Sequence, residues 1–279
     1  MEQEFTTIIV PKSKLFDFHL KEVWKYRDLI VLFVKRNFVS QYKQTILGPA
    51  WALIQPLLTT VVFTVVFGRL AGLAADGVPS FLFFMSGNIA WAYFSGCLTS
   101  TANTFTGNAG IFGKVYFPRL VSPISTVLTN IISFGIQFVM FMVFLAVYWA
   151  KGAVHPTLYA LMLPVLLLEM AMLSLGVGII ISSLTTKYRD LKMLIGFGVQ
   201  LWMYGTPVAY DIGIVPQRFM NLYMLNPMTP IINTFRTAFL GIGSFDLVHY
   251  LISWGVTIVI LFIGLMLFNQ VEKTFMDTV

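Results

Sequence analysis

Charge is scarce in this chain. Charged residues make up 11% of its 279 positions, where soluble domains carry about a quarter. So little charge cannot wrap a soluble core, and 57% hydrophobic residues with a mean hydropathy of +0.81 point the same way. A soluble protein with an unusually rich core fails on run length, because apolar stretches here exceed the roughly 18 residues that mark a spanning helix. Cysteine is almost absent: Cys97 alone, inside an apolar run, excludes a disulfide framework and a CxxC metal site. The three histidines, His19, His155 and His249, lie far apart and share no ligand spacing with acidic residues, so metal chemistry is not expected. The net charge of +6 has no soluble domain to carry it as a basic face, which argues against nucleic acid as a partner. No cleavable leader is expected, since the first apolar run, Leu29 to Val34, is only six residues long and begins late. What remains is an all-α integral membrane protein.

Six spans are expected, at about 46–68, 81–105, 121–149, 157–184, 193–210 and 247–268, each near the length needed to cross a ~30 Å hydrocarbon core. Lys and Arg orient them. With the N-terminus in the cytoplasm, eight precede the first span, two follow at Lys114 and Arg119, three at Lys187, Arg189 and Lys192, and one at Lys273. Only Arg69, Lys151, Arg218 and Arg236 fall on the other side, so the positive-inside rule places both termini in the cytoplasm. The outer segment 211–246 holds two apolar stretches, 214–225 and 230–240, each too short to span and separated by Asn226-Pro227 and Pro230. Span length favours a re-entrant helix pair over a surface-lying amphipathic pair.

Residues 1–45 form a separate cytoplasmic segment ahead of the transmembrane domain, 46–279. On a helical wheel Phe16, Leu20, Val23, Tyr26, Ile30, Phe33, Val34 and Phe38 share one arc, and Lys14, Lys21, Lys25, Asp28, Lys35, Arg36 and Lys43 the opposite one. That is the pattern of an amphipathic helix in a membrane interface. Arg27 and Asn37 intrude on the apolar arc, which suits a kink or a protein contact. Pro49 is placed for a first helical turn, and Pro56, deeper, should kink the first span.

The run Tyr42-Lys43-Gln44-Thr45-Ile46-Leu47-Gly48-Pro49-Ala50-Trp51, followed by Gln55-Pro56, is similar to a recurring pattern of one family. Further pieces match it in order: Lys114-Val115-Tyr116-Phe117-Pro118-Arg119, then Tyr188-Arg189-Asp190, then Thr206-Pro207-Val208 with Asn226-Pro227-Met228 and Phe235-Arg236. Together they resemble the membrane (permease) subunits of polysaccharide-exporting ABC transporters, which include O-antigen, capsule and teichoic-acid exporters. The resemblance implies a half-transporter in the cytoplasmic (inner) membrane whose second copy completes a channel. It also implies two separate ATPase subunits, which bind the ATP and Mg, and a cargo of polysaccharide on an undecaprenyl-type pyrophosphate lipid. Membrane lipids are the remaining partner, and the chain itself is expected to need no cofactor and to be no enzyme. The alternative cargoes are teichoic acid, capsule, lipid or drug.

The residues themselves fit that frame. Gly107 to Val115 is a near miss for a phosphate-binding loop: the spacing to Gly113-Lys114 is one residue too long and Val115 replaces Ser or Thr. ATP is therefore expected to be hydrolysed elsewhere. The 106–120 loop flanks the aromatic pair Tyr116-Phe117 with Lys114 and Arg119 ahead of and after Pro118. Exposed aromatics between charges suit a protein contact, so Tyr26, Arg27, Lys114, Tyr116, Phe117, Pro118 and Arg119 are ATPase-coupling candidates. The plainer reading is that the cations only obey the positive-inside rule. Lys35, Arg36 and Lys43 are candidates for the lipid pyrophosphate, or equally for anionic lipid. Trp51, Trp91, Tyr93, Phe94, Trp202 and Tyr204 lie within spans and offer rings that stack on sugars, though lipid-facing or core roles account for such rings as well. Glu169, near the middle of the fourth span, is the only charge central to a span. An ion-coupled transporter would carry several paired intramembrane charges, and a membrane transferase an acidic or His cluster on one face. Neither pattern is present.

Overall fold

The computed structural model describes residues 20–43, 45–112, 114–115, 117–188 and 190–278, an all-helical chain with no strand among them. The N-terminal segment is two helices, α1 (Leu20–Lys25) and α2 (Arg27–Tyr42), broken at Tyr26 with φ −94° and ψ 23°. The break falls just before Arg27, the first residue to interrupt the apolar arc. The two faces persist across the break: Val23 and Phe33 are buried and Tyr26, Ile30, Val34 and Phe38 half-buried, while Lys21, Lys25, Asp28, Lys35, Arg36 and Lys43 are exposed.

Five described helices are long and apolar enough to cross a membrane: Gly48–Leu70, Ser80–Ala102, Val121–Ala150, Leu158–Thr186 and Leu247–Val271. The first opens with a tight turn, Gly48–Ala50, with Pro49 in it, where a missing N–H is not needed. It continues as α3 (Trp51–Phe63), with Pro56 buried inside, and ends in a π-helical stretch, Thr64–Leu70. Hydroxyls bond back onto this irregular backbone, Thr59 Oγ1 to Gln55 O at 3.0 Å and Thr64 Oγ1 to Thr60 O at 2.7 Å. Such bonds from a hydroxyl to the carbonyl four residues back often accompany bent helices.

The mostly buried α4 (Ser80–Ala102) is the central post, packed against α3, α6 (Val121–Ala150) and α7 (Leu163–Lys187). Glycines let the posts touch. A Cβ at Gly176 would lie 2.8 Å from Leu261 Cα, and one at Gly264 2.7 Å from Gly176 O. Without a hydrophobic drive between helices in lipid, such close backbone approach is a main source of association. It joins α7 to α11 (Leu247–Thr278), whose first turn is capped by Asp246, accepting from the N–H groups of Val248 at 3.0 Å and His249 at 3.2 Å. The His249 ring, 2.6 Å from the other oxygen, holds the Asp246 carboxyl below the usual carboxylate range.

Three expectations are revised. Residues 106–112, taken as part of the 106–120 loop, belong to a short helix, α5 (Thr104–Phe112). The stretch 193–210 is helical only as α8 (Leu191–Tyr204); its 14 residues rise about 21 Å, less than the hydrocarbon core. Pro230, expected to separate two stretches, instead lies in the first turn of the second. The pair is α9 (Gln217–Met224) and α10 (Met228–Leu240), with α10 almost wholly buried against α4, α7 and α11.

Candidate functional site

A cavity of about 500 Å³ opens between α3, α4 and α6, a size typical of ligand pockets, about 300–1,000 Å³. Helical spacing builds it. Trp51, Gln55 and Thr59 line it from α3, Asn88, Trp91, Ser95 and Thr99 from α4, and Asn130, Ser133 and Gln137 from α6. Steps of three and four residues put each set on one helix face, so three polar stripes converge. Gln41 and Tyr42 from the end of α2 and Gln200 and Met203 from α8 complete the wall. The stripes are only partly satisfied by one another. Asn88 Nδ2 donates to Thr60 Oγ1 at 3.3 Å and Asn130 Nδ2 to Thr126 O at 2.9 Å, while Gln55, Thr59 and Gln200 are exposed on the wall and Ser95 and Thr99 half-buried. Polar groups within apolar spans are costly unless something wet or hydroxylated meets them.

The six expected sugar-stacking residues divide. Trp51, Trp91 and Tyr93 line the cavity. Phe94 is fully buried and packs edge-on against Trp202, centroids 5.0 Å apart. Trp202 donates its indole N–H to Asn226 Oδ1 at 2.9 Å, and Tyr204 is exposed, accepting from Gln200 Nε2 at 3.1 Å. The cavity's amides escaped the sequence reading, which counted rings. The signal available was the repeat of Asn130, Ser133 and Gln137 along one face of an otherwise apolar span.

Lys35, Arg36 and Lys43 are exposed on α2 and just after it. Arg36 lies over the Phe33 ring at 4.4 Å and donates to Asn37 Oδ1 at 3.0 Å, while Lys43 follows Tyr42, a cavity residue. Among the coupling candidates, Arg27 and Lys114 are exposed, Tyr26, Pro118 and Arg119 half-buried, and Arg119 sits 5.8 Å from the Phe112 ring. Tyr116 and Arg189 lie outside the described residues. Phe117 corrects the premise of an exposed pair: it is buried within the chain, 5.6 Å from both Phe33 and Phe112. An aromatic beside a cation in a loop can fold back onto its own α2 rather than await a partner. The contact physically joins α2 to the segment leading into α6.

The three short motifs of the 206–236 region converge on a second site. Asn226 uses its whole amide: Nδ2 donates to Gly205 O and Thr206 Oγ1, both at 2.9 Å, and Oδ1 accepts from Trp202 Nε1 at 2.9 Å and Met228 N at 3.2 Å. Arg236, 3% exposed, donates to Val208 O at 2.9 Å and Tyr210 O at 3.3 Å and lies 3.7 Å over the Phe83 ring, a cation–π contact strengthened by desolvation. Gly87 makes room, since a Cβ there would lie 3.0 Å from the guanidinium. Glu169 is buried beside α11, where the Ser253 hydroxyl reaches both its Oε1 and, at 3.1 Å, the carbonyl of Pro227. Asn226 and the Glu169–Ser253 pair tie the turn before α10 to the spans around it, and Arg236 ties α10 itself to Val208, Tyr210 and α4.

The sequence profile of the ABC-2 type transporter family matches residues 28–240. The chain is similar to the O-antigen export system permease protein RfbA of Klebsiella pneumoniae, 27% identical over 251 residues that cover 90% of this chain and 94% of the relative. RfbA of Myxococcus xanthus is 25% identical over 265 residues, 93% and 98% of the two chains. The polysialic acid transport protein KpsM of Escherichia coli is 20% identical over 246 residues, 87% and 93%. With a match running from α2 to the end of α10 and five helices able to span a bilayer, this multi-pass membrane protein belongs to the ABC-2 type transporter family.

Proposed function

We propose that this chain is the permease subunit of an ABC exporter that moves lipid-linked polysaccharide, such as O-antigen, out across the cytoplasmic membrane. The observation that carries the reading is the cavity in which tryptophan and tyrosine rings alternate with amides and hydroxyls. Sugars present apolar ring faces and many hydroxyls, and those two surfaces match it. The names of the Klebsiella and Myxococcus relatives support the cargo class.

In this reading both termini are cytoplasmic, α8 with the turns after it forms a sixth, short span, and α9 with α10 is a re-entrant pair on the outer side. Two copies face each other so that their cavities form one path. Two ATPase subunits bind ATP and Mg and press on the cytoplasmic end, where Tyr26, Arg27, Lys114, Tyr116, Pro118 and Arg119 offer contacts. The buried Phe33–Phe117 contact would pass that motion from α2 to α6. Lys35, Arg36 and Lys43 would meet the lipid pyrophosphate. Gln at all three should weaken binding of the lipid-linked substrate while membrane association persists; equal loss of both would reduce them to lipid anchors.

The test is complementation. Expressed with its ATPase in a strain lacking its own O-polysaccharide exporter, the chain should restore surface polymer, and Trp91→Ala should reduce it at unchanged protein level. Accumulation of polymer inside despite both subunits, with export of teichoic acid, capsule, lipid or drug instead, would replace the cargo and keep the architecture.

A further inference from the structure

The cavity wall has aromatic rings and amides but, among the described residues, no Asp, Glu, Lys, Arg or His. We propose that the cargo is an uncharged, hydroxyl-rich glycan and that this lining excludes polyanionic chains. The inference rests on the export reading above and narrows its substrate class.

The polar side chains are the selective element. Gln55, Thr59 and Gln200 are exposed on the wall, and Ser95, Thr99 and Asn130 are half-buried in it. Hydroxyls and amides both donate and accept, as sugar hydroxyls do, so a neutral glycan can exchange water for protein contacts at each step without fixing any one pose. A carboxylate or phosphodiester has only acceptors. It would lose hydration in this wall and find no cation to replace it, and an uncompensated buried charge is strongly unfavourable.

A second copy does not alter the sign. Symmetric copies present the same surface, so the facing wall would be equally free of charge. A cation adjoins the lining in sequence: exposed Lys43 directly follows Tyr42, a cavity residue. A lipid phosphate would find its partner there, outside the neutral wall that suits the sugar chain.

The experiment compares two polymers in exporter-deficient hosts, each expressing this chain with its ATPase. One host makes a neutral hexose polymer on the lipid carrier, and the other a polymer of similar length bearing one uronate per repeat. Surface neutral polymer should exceed acidic polymer by roughly tenfold or more, given the cost of burying unpaired charge. Gln55→Lys, at an exposed position of the wall, should shrink that ratio by raising acidic export. Equal export of both polymers overturns the inference and leaves the export reading standing. Export of neither polymer, with both subunits present and assembled, overturns the export reading and this inference with it. A second measurement needs no transport. Tryptophan fluorescence of the complex in nanodiscs should respond to a neutral oligosaccharide at concentrations where a uronate oligosaccharide is silent. An equal response to both overturns the selectivity.

Discussion

Asn226 offers a quantitative test of how the 206–236 region is held. Its amide makes four hydrogen bonds, and Ala removes all of them. The losses are unequal. Gly205 is exposed, so water can replace the bond to its carbonyl. Thr206 keeps its own bond to Trp202 O at 2.8 Å. The Trp202 indole N–H and the Met228 backbone N–H lose their acceptor within the packed turn. Interhelical hydrogen bonds in membrane proteins average about 0.6 kcal/mol, with a maximum near 1.7, and a stranded buried donor costs about 1–3 kcal/mol. Asn226→Ala should therefore destabilise by about 2–3 kcal/mol. Trp202→Phe removes only one partner while preserving a ring against Phe94. The double mutant should then be less damaged than the sum of the singles, with a coupling of about 0.6–1.7 kcal/mol. Equilibrium unfolding in mixed micelles measures all four proteins. Additive effects would refute the direct bond and the reasoning built on it.

Further expectations follow from packing. Gly264→Leu should sharply lower the yield of folded protein, because its side chain meets Gly176 O on α7, whereas Gly255→Leu, with nothing within 4 Å of its Cβ position, should be tolerated; size-exclusion profiles of the two variants make the comparison. Phe117→Ala should cost about 3–5 kcal/mol, as it empties the contact between Phe33 and Phe112, while Lys114→Gln, on an exposed side chain, should stay within about 0.5 kcal/mol; thermal unfolding in detergent distinguishes them. Glu169→Gln, which can both donate and accept beside Ser253, should keep stability and export, and Glu169→Leu should lose stability. Loss of export in a stably folded Gln variant would instead assign Glu169 a part in transport.

Span positions were legible in the sequence because apolar run length is a local property. The runs at 121–149 and 157–184 reappear as α6 and as the turn plus α7, and the two short stretches of 211–246 as α9 and α10. Helix breaks were harder, since Tyr26 and Asn103 interrupt helices without proline or glycine. The ring residues were half right: Trp91 and Tyr93 face the cavity, while Phe94, one residue on, turns into the core toward Trp202. Adjacent positions differ by 100° on a helix, and composition alone does not choose between them. The hub role of Asn226 was invisible because three of its four partners lie 20 to 24 residues away in sequence.

The central claim is that the cargo passes through the cavity between α3, α4 and α6. Cys97 is the sole cysteine and is buried, so Thr59→Cys in a Cys97→Ala background places one exposed thiol on that wall. Labelling it with a bulky maleimide in membranes, and then measuring surface polymer, tests the path directly. Export should fall with the fraction labelled, while a label on Val139→Cys, at an exposed position of α6 outside the cavity lining, should leave it intact. Undiminished export from fully labelled Thr59→Cys protein would contradict the account.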